Sequence, residues 1–256
     1  MIRKIYNFFI SSQTKSKMQK PYIKRIGIFS GFNAWIVNGK YVRENLDKEF
    51  TNFGQFYDFE FIPKNEFWLD KEYNANEQRF FIYNMLAERR LIKEGKSPRE
   101  ARIQAGKLGK KERVKLKLIK KSIKKTEHKG DILKKIHKKL LTEYSNNEVS
   151  VWIVRGDLVR SLFFIDFTEG GNDQVYSFVP DGEIWLDDDL IPSEREFVLL
   201  HEIHERNLMK EGIPYWSDKN PRKTAHWSAQ EIEFSCRKNL KMLDKKIKHE
   251  LKIFNF

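Results

Sequence analysis

The chain repeats itself, and that repeat limits its fold more than any other feature. Residues 34–95 match residues 151–212 at a constant offset of 117 without a gap, and 23 of the 62 positions are identical. Trp35-Ile36-Val37 returns as Trp152-Ile153-Val154, Gly39 as Gly156, and Arg43 as Arg160. Phe50-Thr51 with Gly54 returns as Phe167-Thr168 with Gly171, and Pro63, Glu66 and Trp68-Leu69-Asp70 as Pro180, Glu183 and Trp185-Leu186-Asp187. Identity at this density in fixed register requires two copies of one fold. A length of 256 residues suits two small units.

Each copy reads as short strands followed by helices. In copy two, Trp152–Val154, the stretch around Val175–Val179 and Glu183–Leu186 carry β-branched and aromatic residues between Gly, Pro and Asp. Ser193 then offers an N-cap, with Glu194 and Glu196 in the first turn, and the helix runs to a stop at Gly212. Asn220-Pro221 opens a second helix, on which Ala225, Ala229, Ile232, Cys236 and Leu240 form one apolar stripe. The expected fold is α+β, an internal tandem duplication in which each copy is a small antiparallel sheet followed by two helices. The boundaries follow: an N-terminal extension over 1–30, copy one over 31–125, a basic helical linker over 126–148 and copy two over 149–256.

The linker region carries the charge. Residues 107–140 hold 15 Lys/Arg against Glu112, Glu127 and Asp131, close to the whole net charge of +13. Leu116, Ile119 and Ile123, then Ile132, Leu133, Ile136 and Leu140, recur at helical spacing. They predict two basic amphipathic helices broken near Gly130, the first of which completes copy one. Lys110, Lys111, Lys117, Lys120, Lys121, Lys124 and Lys125 could track a nucleic-acid backbone. No aromatic residue is interleaved there, so base stacking is not indicated, and a solvated helix face is the plainer reading.

Other function classes fall away on composition. No apolar run approaches the roughly 18–20 residues of a membrane helix. The Ile5–Ile10 patch is too short for a signal segment. The single cysteine, Cys236, excludes a disulfide framework. A cytoplasmic chain without membrane contact is expected, and its two copies are expected to pair intramolecularly about a pseudo-twofold axis.

The most specific chemistry is His201-Glu202-Ile203-His204-Glu205. At 100° per residue, His201, His204 and Glu205 share one sector of an otherwise apolar helix. Burying imidazoles and a carboxylate without partners is costly, and a divalent metal is a natural partner for them. His226 and Glu233 sit two turns apart on the next helix and face this cluster if the two helices pack antiparallel. In copy one, His201, Glu202 and His204 are replaced by Asn84, Met85 and Ala87. With a three-residue insertion after Gly212, His226 aligns with Gly106 and Glu233 with Arg113. Only Glu205 persists, as Glu88, each followed by an arginine, which fits a salt bridge common to both copies. The candidate ligands thus occur together in one copy alone.

The stretch Val198-Leu199-Leu200-His201-Glu202 after a strand resembles the active-site helix of zincin metallopeptidases, whose motif is His-Glu-x-x-His. That resemblance implies His201 as a zinc ligand and Glu202 as general base. The motif's second histidine is Glu205 here, and the likeness spans about 25 residues. The expected site is therefore a divalent metal, zinc foremost, on His201, His204, Glu205, His226 and Glu233, with Glu202 as base and a hydrolytic reaction. Three other readings stay open: a core helix with satisfied histidines, a metal that only ties helices together, and an acid–base site on Glu202 and His204. A basic nucleic-acid- or ribosome-associated binding protein is the alternative function. Asp187-Asp188-Asp189 could feed a cation but reads first as a solvated turn, with Asp187, the repeat of Asp70, in a scaffold role.

Overall fold

The duplication is visible as two four-stranded sheets of the same strand order in a computed structural model that describes residues 21–71, 75–115, 129–165 and 167–253. In copy one, β1 (Tyr22–Phe29), β2 (Phe32–Val37), β3 (Phe53–Gln55) and β4 (Glu66–Asp70) lie in the order β1-β2-β4-β3. In copy two, β5 (His137–Leu140), β6 (Ser150–Val154), β7 (Gly170–Asn172) and β8 (Glu183–Asp187) lie in the order β5-β6-β8-β7. The outer pairs are antiparallel. The central pairs, β2 with β4 and β6 with β8, are parallel, and they set Trp35 opposite Trp68 and Trp152 opposite Trp185. The α+β tandem layout is thus the observed one, with mixed sheets in place of the expected antiparallel ones.

A parallel central pair needs a crossover. α1 (Gly39–Asn45) and β3 make it in copy one, α5 (Gly156–Leu162) and β7 in copy two. The repeated residues fix these crossovers. Arg43 donates to Asp70 at 2.9 Å and to the Phe50 carbonyl at 3.4 Å. Arg160 likewise donates to Asp187 and to the Phe167 carbonyl. All four charged groups are buried, where an unpaired charge would be prohibitive. Gly39 and Gly156 complete the arrangement, since a Cβ at either would stand 1.6 or 2.2 Å from the Asp70 or Asp187 carboxylate. The side chains of Trp68 and Trp185 donate to Glu66 and Glu183, so the glutamates repeat as acceptors inside each sheet.

Copy one continues into α2 (Ala75–Lys93) and α3 (Pro98–Val114), copy two into α6 (Pro192–Lys210) and α7 (Ala225–Lys238). α6 is apolar on most of its circumference: Phe197, Val198, Leu199, Leu200 and Ile203 are all buried. Its first residue is Pro192, with Ile191 rather than Ser193 at the cap position. Asn220-Pro221 forms only a 3₁₀ turn. α7 begins after it, with the Thr224 hydroxyl accepting from the Trp227 amide. On α7, Ala225, Ala229 and Cys236 are buried, whereas Leu240 lies past the helix end and is 67% exposed. A further helix, α8 (Leu243–Glu250), seats Leu243 and Ile247 in the copy-two core.

Several elements fall where other structure was expected. Val175–Val179 is turn, because the edge of the sheet is Gly170–Asn172 instead. β1 lies within the stretch assigned to an N-terminal extension. The presumed linker holds α4 (Lys129–Ile136) and then β5, so Leu140 sits on a strand. Ile132, Leu133 and Ile136 do lie on a helix, which ends at Ile136 where the chain pairs with β6 instead. Leu116, Ile119 and Ile123 lie outside the described residues.

The copies are tied by charge across their interface. Arg160 of copy two donates to Glu77 of copy one at 2.7 Å, beside Arg113 on the same carboxylate. Arg43 of copy one approaches Glu169 of copy two at 3.3 Å, and Lys48 meets Glu231 at 2.6 Å. Lys110 points its Nζ at the Phe163 carbonyl. Among the described residues no helix is long and apolar enough to cross a membrane.

Candidate metal centre

The site lies where α6 and α7 pack in copy two, at a cavity of about 400 Å³ whose far wall comes from copy one. α6 presents His201 and Glu205 one turn apart, and α7 brings His226 against them. His201 Nε2 is 3.6 Å from Glu205 Oε2 and 3.3 Å from His226 Nδ1, and His226 Nδ1 is 2.8 Å from Glu205 Oε2. Two ligand atoms on one tetrahedral zinc, each about 2.0–2.1 Å from it, stand roughly 3.3 Å apart. Three atoms on an imidazole, an imidazole and a carboxylate therefore have the chemistry and spacing of a shared cation site.

The remaining ring nitrogens are occupied in a telling way. His201 Nδ1 lies 2.9 Å from Glu233 Oε2, and Glu233 in turn accepts from Arg237. His226 Nε2 faces Glu49 of copy one at 3.5 Å. Each imidazole thus turns one nitrogen to the shared point and the other to a carboxylate, the arrangement that orients metal-ligating histidines. Glu233, expected as a further ligand, is placed to orient His201 instead. Glu49 was missed, because its loop follows α1 and nothing in local spacing links it to His226.

His204 does not join the cluster. Its Nδ1 is 2.9 Å from Glu250 of α8 and its Nε2 is 3.0 Å from the Ser228 hydroxyl. On the helix it is only about 60° from His201, but that angle carries it beneath α8. With both nitrogens satisfied it is a packing histidine, and its expected place among the ligands is corrected.

Glu202 stands beside the cluster, buried and lining the same cavity. The Asn172 amide donates to Glu202 at 2.9 Å and to Glu205 at 3.0 Å, holding the two carboxylates together. Burial and the Glu205 charge push the Glu202 carboxyl up to about 7. Burial works against Glu205 too, but its bonds to His201 and His226 outweigh it and bring that carboxyl to about 2. Burial likewise disfavours the two imidazoliums. Glu205 and Glu233 nevertheless hold His201 well above its usual value, and Glu205 with Glu49 lifts His226 to about 9.

Copy one shows what the scaffold alone requires. Gln55, the counterpart of Asn172, donates to Glu88 at 2.6 Å, so a carboxamide on the edge strand holds the repeated glutamate in both copies. The expected Glu205–Arg206 bridge is absent: Arg206 pairs with Asp173 at 2.7 Å, and Arg89 donates to Gln55. The second helices align differently from the sequence reading. Buried Ala101, Ala105 and Arg113 stand 124 residues before Ala225, Ala229 and Arg237, and the two arginines pair with Glu77 and Glu194, themselves 117 apart. The insertion is therefore seven residues (124 − 117), and His226 corresponds to Arg102, Glu233 to Gly109. Arg102 lies 3.9 Å from Glu88, so copy one has a guanidinium where copy two has its second imidazole. The longer α6–α7 connection brings Tyr215 to the cavity, its ring 5.2 Å from that of His226.

No family model, curated protein or solved structure matches this chain. The site must be read from its own geometry.

The other candidates contribute little. Asp187, Asp188 and Asp189 lie close together, but Arg160 takes Asp187 and Asp189 and Lys138 takes Asp188. Of the seven lysines, Lys111 is exposed and Lys110 is half-buried, while Lys117, Lys120, Lys121, Lys124 and Lys125 lie outside the described residues.

Proposed function

We propose that His201 Nε2, Glu205 Oε2 and His226 Nδ1 hold one divalent metal, zinc foremost, and that copy two is a metal-dependent hydrolase. The observation that carries this reading is the set of two imidazoles and one carboxylate on a shared point at a cavity wall. Two histidines with one glutamate leave a coordination position open, as catalytic rather than structural zinc sites do. The metal, when bound, supplies Lewis acidity toward an oxygen in that position.

The chain's own groups do the rest. Glu202, lining the cavity beside the cluster, accepts the proton of an attacking water and returns it to the leaving group. Asn172 keeps Glu202 from turning away. Glu233 orients His201, with Arg237 anchoring Glu233. Phe164, Tyr176 and Tyr215 line the same cavity and offer a substrate an aromatic surface.

Elemental mass spectrometry on chelator-free, untagged protein tests the site. The expectation is about one equivalent of zinc or another transition metal, lost in His201→Ala and His226→Ala. Glu202→Gln should retain the metal and lose hydrolysis across a panel of peptide and ester substrates. Wild-type protein that stays metal-free after incubation with zinc, manganese or iron overturns the reading.

A further inference from the structure

Copy one has neither imidazole of the cluster, yet it walls the cavity and sends Glu49 to the far side of His226. The contact is specific. For Nδ1 of His226 to serve as a ligand it must carry no proton, so a neutral ring must carry its proton on Nε2. The groups facing Nε2 decide whether that tautomer is favoured, and among the described residues there are two of them. One is the Glu49 carboxylate at 3.5 Å, an acceptor. The other is the Gln230 side-chain nitrogen at 3.2 Å, which also donates to Glu49 and is therefore oriented as an amide donor.

These two neighbours pull in opposite directions. An amide donor beside Nε2 favours the ring with its proton on Nδ1, the tautomer that cannot bind metal there. A carboxylate beside Nε2 favours the proton on Nε2 and frees Nδ1. With Glu49 present, an acceptor faces Nε2 and occupies the Gln230 amide. Without it, the donor alone remains.

We propose that Glu49 is a positioning residue through which the degenerate copy completes the metal centre of the other, by fixing the His226 ring as an Nδ1 ligand. This rests on the metal reading above. It also gives copy one a role at a site whose ligands it lacks: metal affinity depends on the closed interface between the copies. An oriented carboxylate behind a ligating histidine is a known means of raising affinity; here it is supplied from 177 residues away in the chain.

The test measures zinc affinity of the full chain by competition with a chromophoric chelator. Glu49→Ala should weaken zinc binding by about 10–100-fold. The double variant Glu49→Ala/Gln230→Glu, which returns a carboxylate to Nε2 from copy two itself, should recover most of that loss. Glu231→Gln breaks the Lys48–Glu231 pair across the same interface without touching His226, and should leave affinity within about twofold of wild type. Nitrogen-15 NMR of the histidine rings should show Nδ1 of His226 as the zinc ligand in wild type and its signature lost in Glu49→Ala at matched zinc. Glu49→Ala binding zinc as wild type does overturns the proposal. So does a loss in Glu231→Gln equal to that in Glu49→Ala, which reduces the effect to loosening of the interface. Wild-type protein that takes no zinc removes the metal reading itself, a different and separable failure.

Discussion

Arg160 of copy two donates to Glu77 of copy one at 2.7 Å, with both side chains out of solvent. Arg113 shares that carboxylate and has no other carboxylate within 4.0 Å among the described residues. The three groups form the charged centre of the interface, and Arg160 is also the arginine that fixes its own crossover through Asp187. Replacing Glu77 by Gln strands one buried guanidinium and weakens the seating of another. Breaking a buried pair from one side costs about 3–5 kcal/mol. Urea unfolding of Glu77→Gln should show a loss of that order. A loss below about 1 kcal/mol would place the pair among weak surface contacts.

His204 and His201 separate packing from ligation. His204→Ala removes a partner of Glu250 and of Ser228, while Asn207 still holds Glu250 at 2.9 Å. The expected cost is about 1–3 kcal/mol in stability with metal content unchanged. His201→Ala should abolish metal binding. Parallel metal analysis and denaturant melts distinguish the two, and loss of metal from His204→Ala would return that residue to the ligand set.

Gly156 tests the crossover itself. A methyl there would stand 2.2 Å from the Asp187 carboxylate and displace it from Arg160. Gly156→Ala should destabilise by at least about 2 kcal/mol, overpacking and loss of a buried pair acting together. Gly212→Ala is a contrast, because its left-handed backbone (φ +90°) is strained by any side chain but nothing stands within 4 Å of it. Its cost should stay near 1 kcal/mol. Thermal melts of both variants decide the order.

How far the sequence could be read depended on range. The repeat exposed the copies and the residues that hold each crossover, because Gly, Arg and Asp recur as a set for one physical reason. It also separated Glu205, kept in both copies by a carboxamide on the edge strand, from His201 and Glu202. Strand direction was not legible, since a parallel central pair is set by how a seven-residue helix carries the chain across. The fate of His204 depended on where α8 packs, and that of His226 on an insertion of seven rather than three residues. The apolar pattern of α7 fits either register, and only the burial of Arg113 and Arg237 against their glutamates fixes it. Glu49 had no local signal at all, being brought to His226 by the packing of one copy on the other.

The same cluster makes stability and metal affinity move oppositely with pH. In metal-free protein, burial disfavours the His226 imidazolium, but Glu205 and Glu49 overcome this and raise its value to about 9, above the 6.5 of an ordinary histidine. A base raised on folding stabilises in full below its unfolded value, and that stabilisation is lost as pH climbs through the folded one. Metal-free stability should therefore decline between about pH 6.5 and pH 9, by at most about 3 kcal/mol from this group. Zinc requires the ring without its Nδ1 proton, so its affinity rises over the same interval. The gain in Tm on adding zinc should accordingly be small near pH 6 and grow toward about pH 8.5. Thermal melts with and without zinc across that range, beside His226→Ala, provide the check. The variant should show a shallower metal-free decline, that of His201 remaining, and no zinc increment at any pH; a zinc increment in the wild type that does not change with pH would remove His226 from the ligand set.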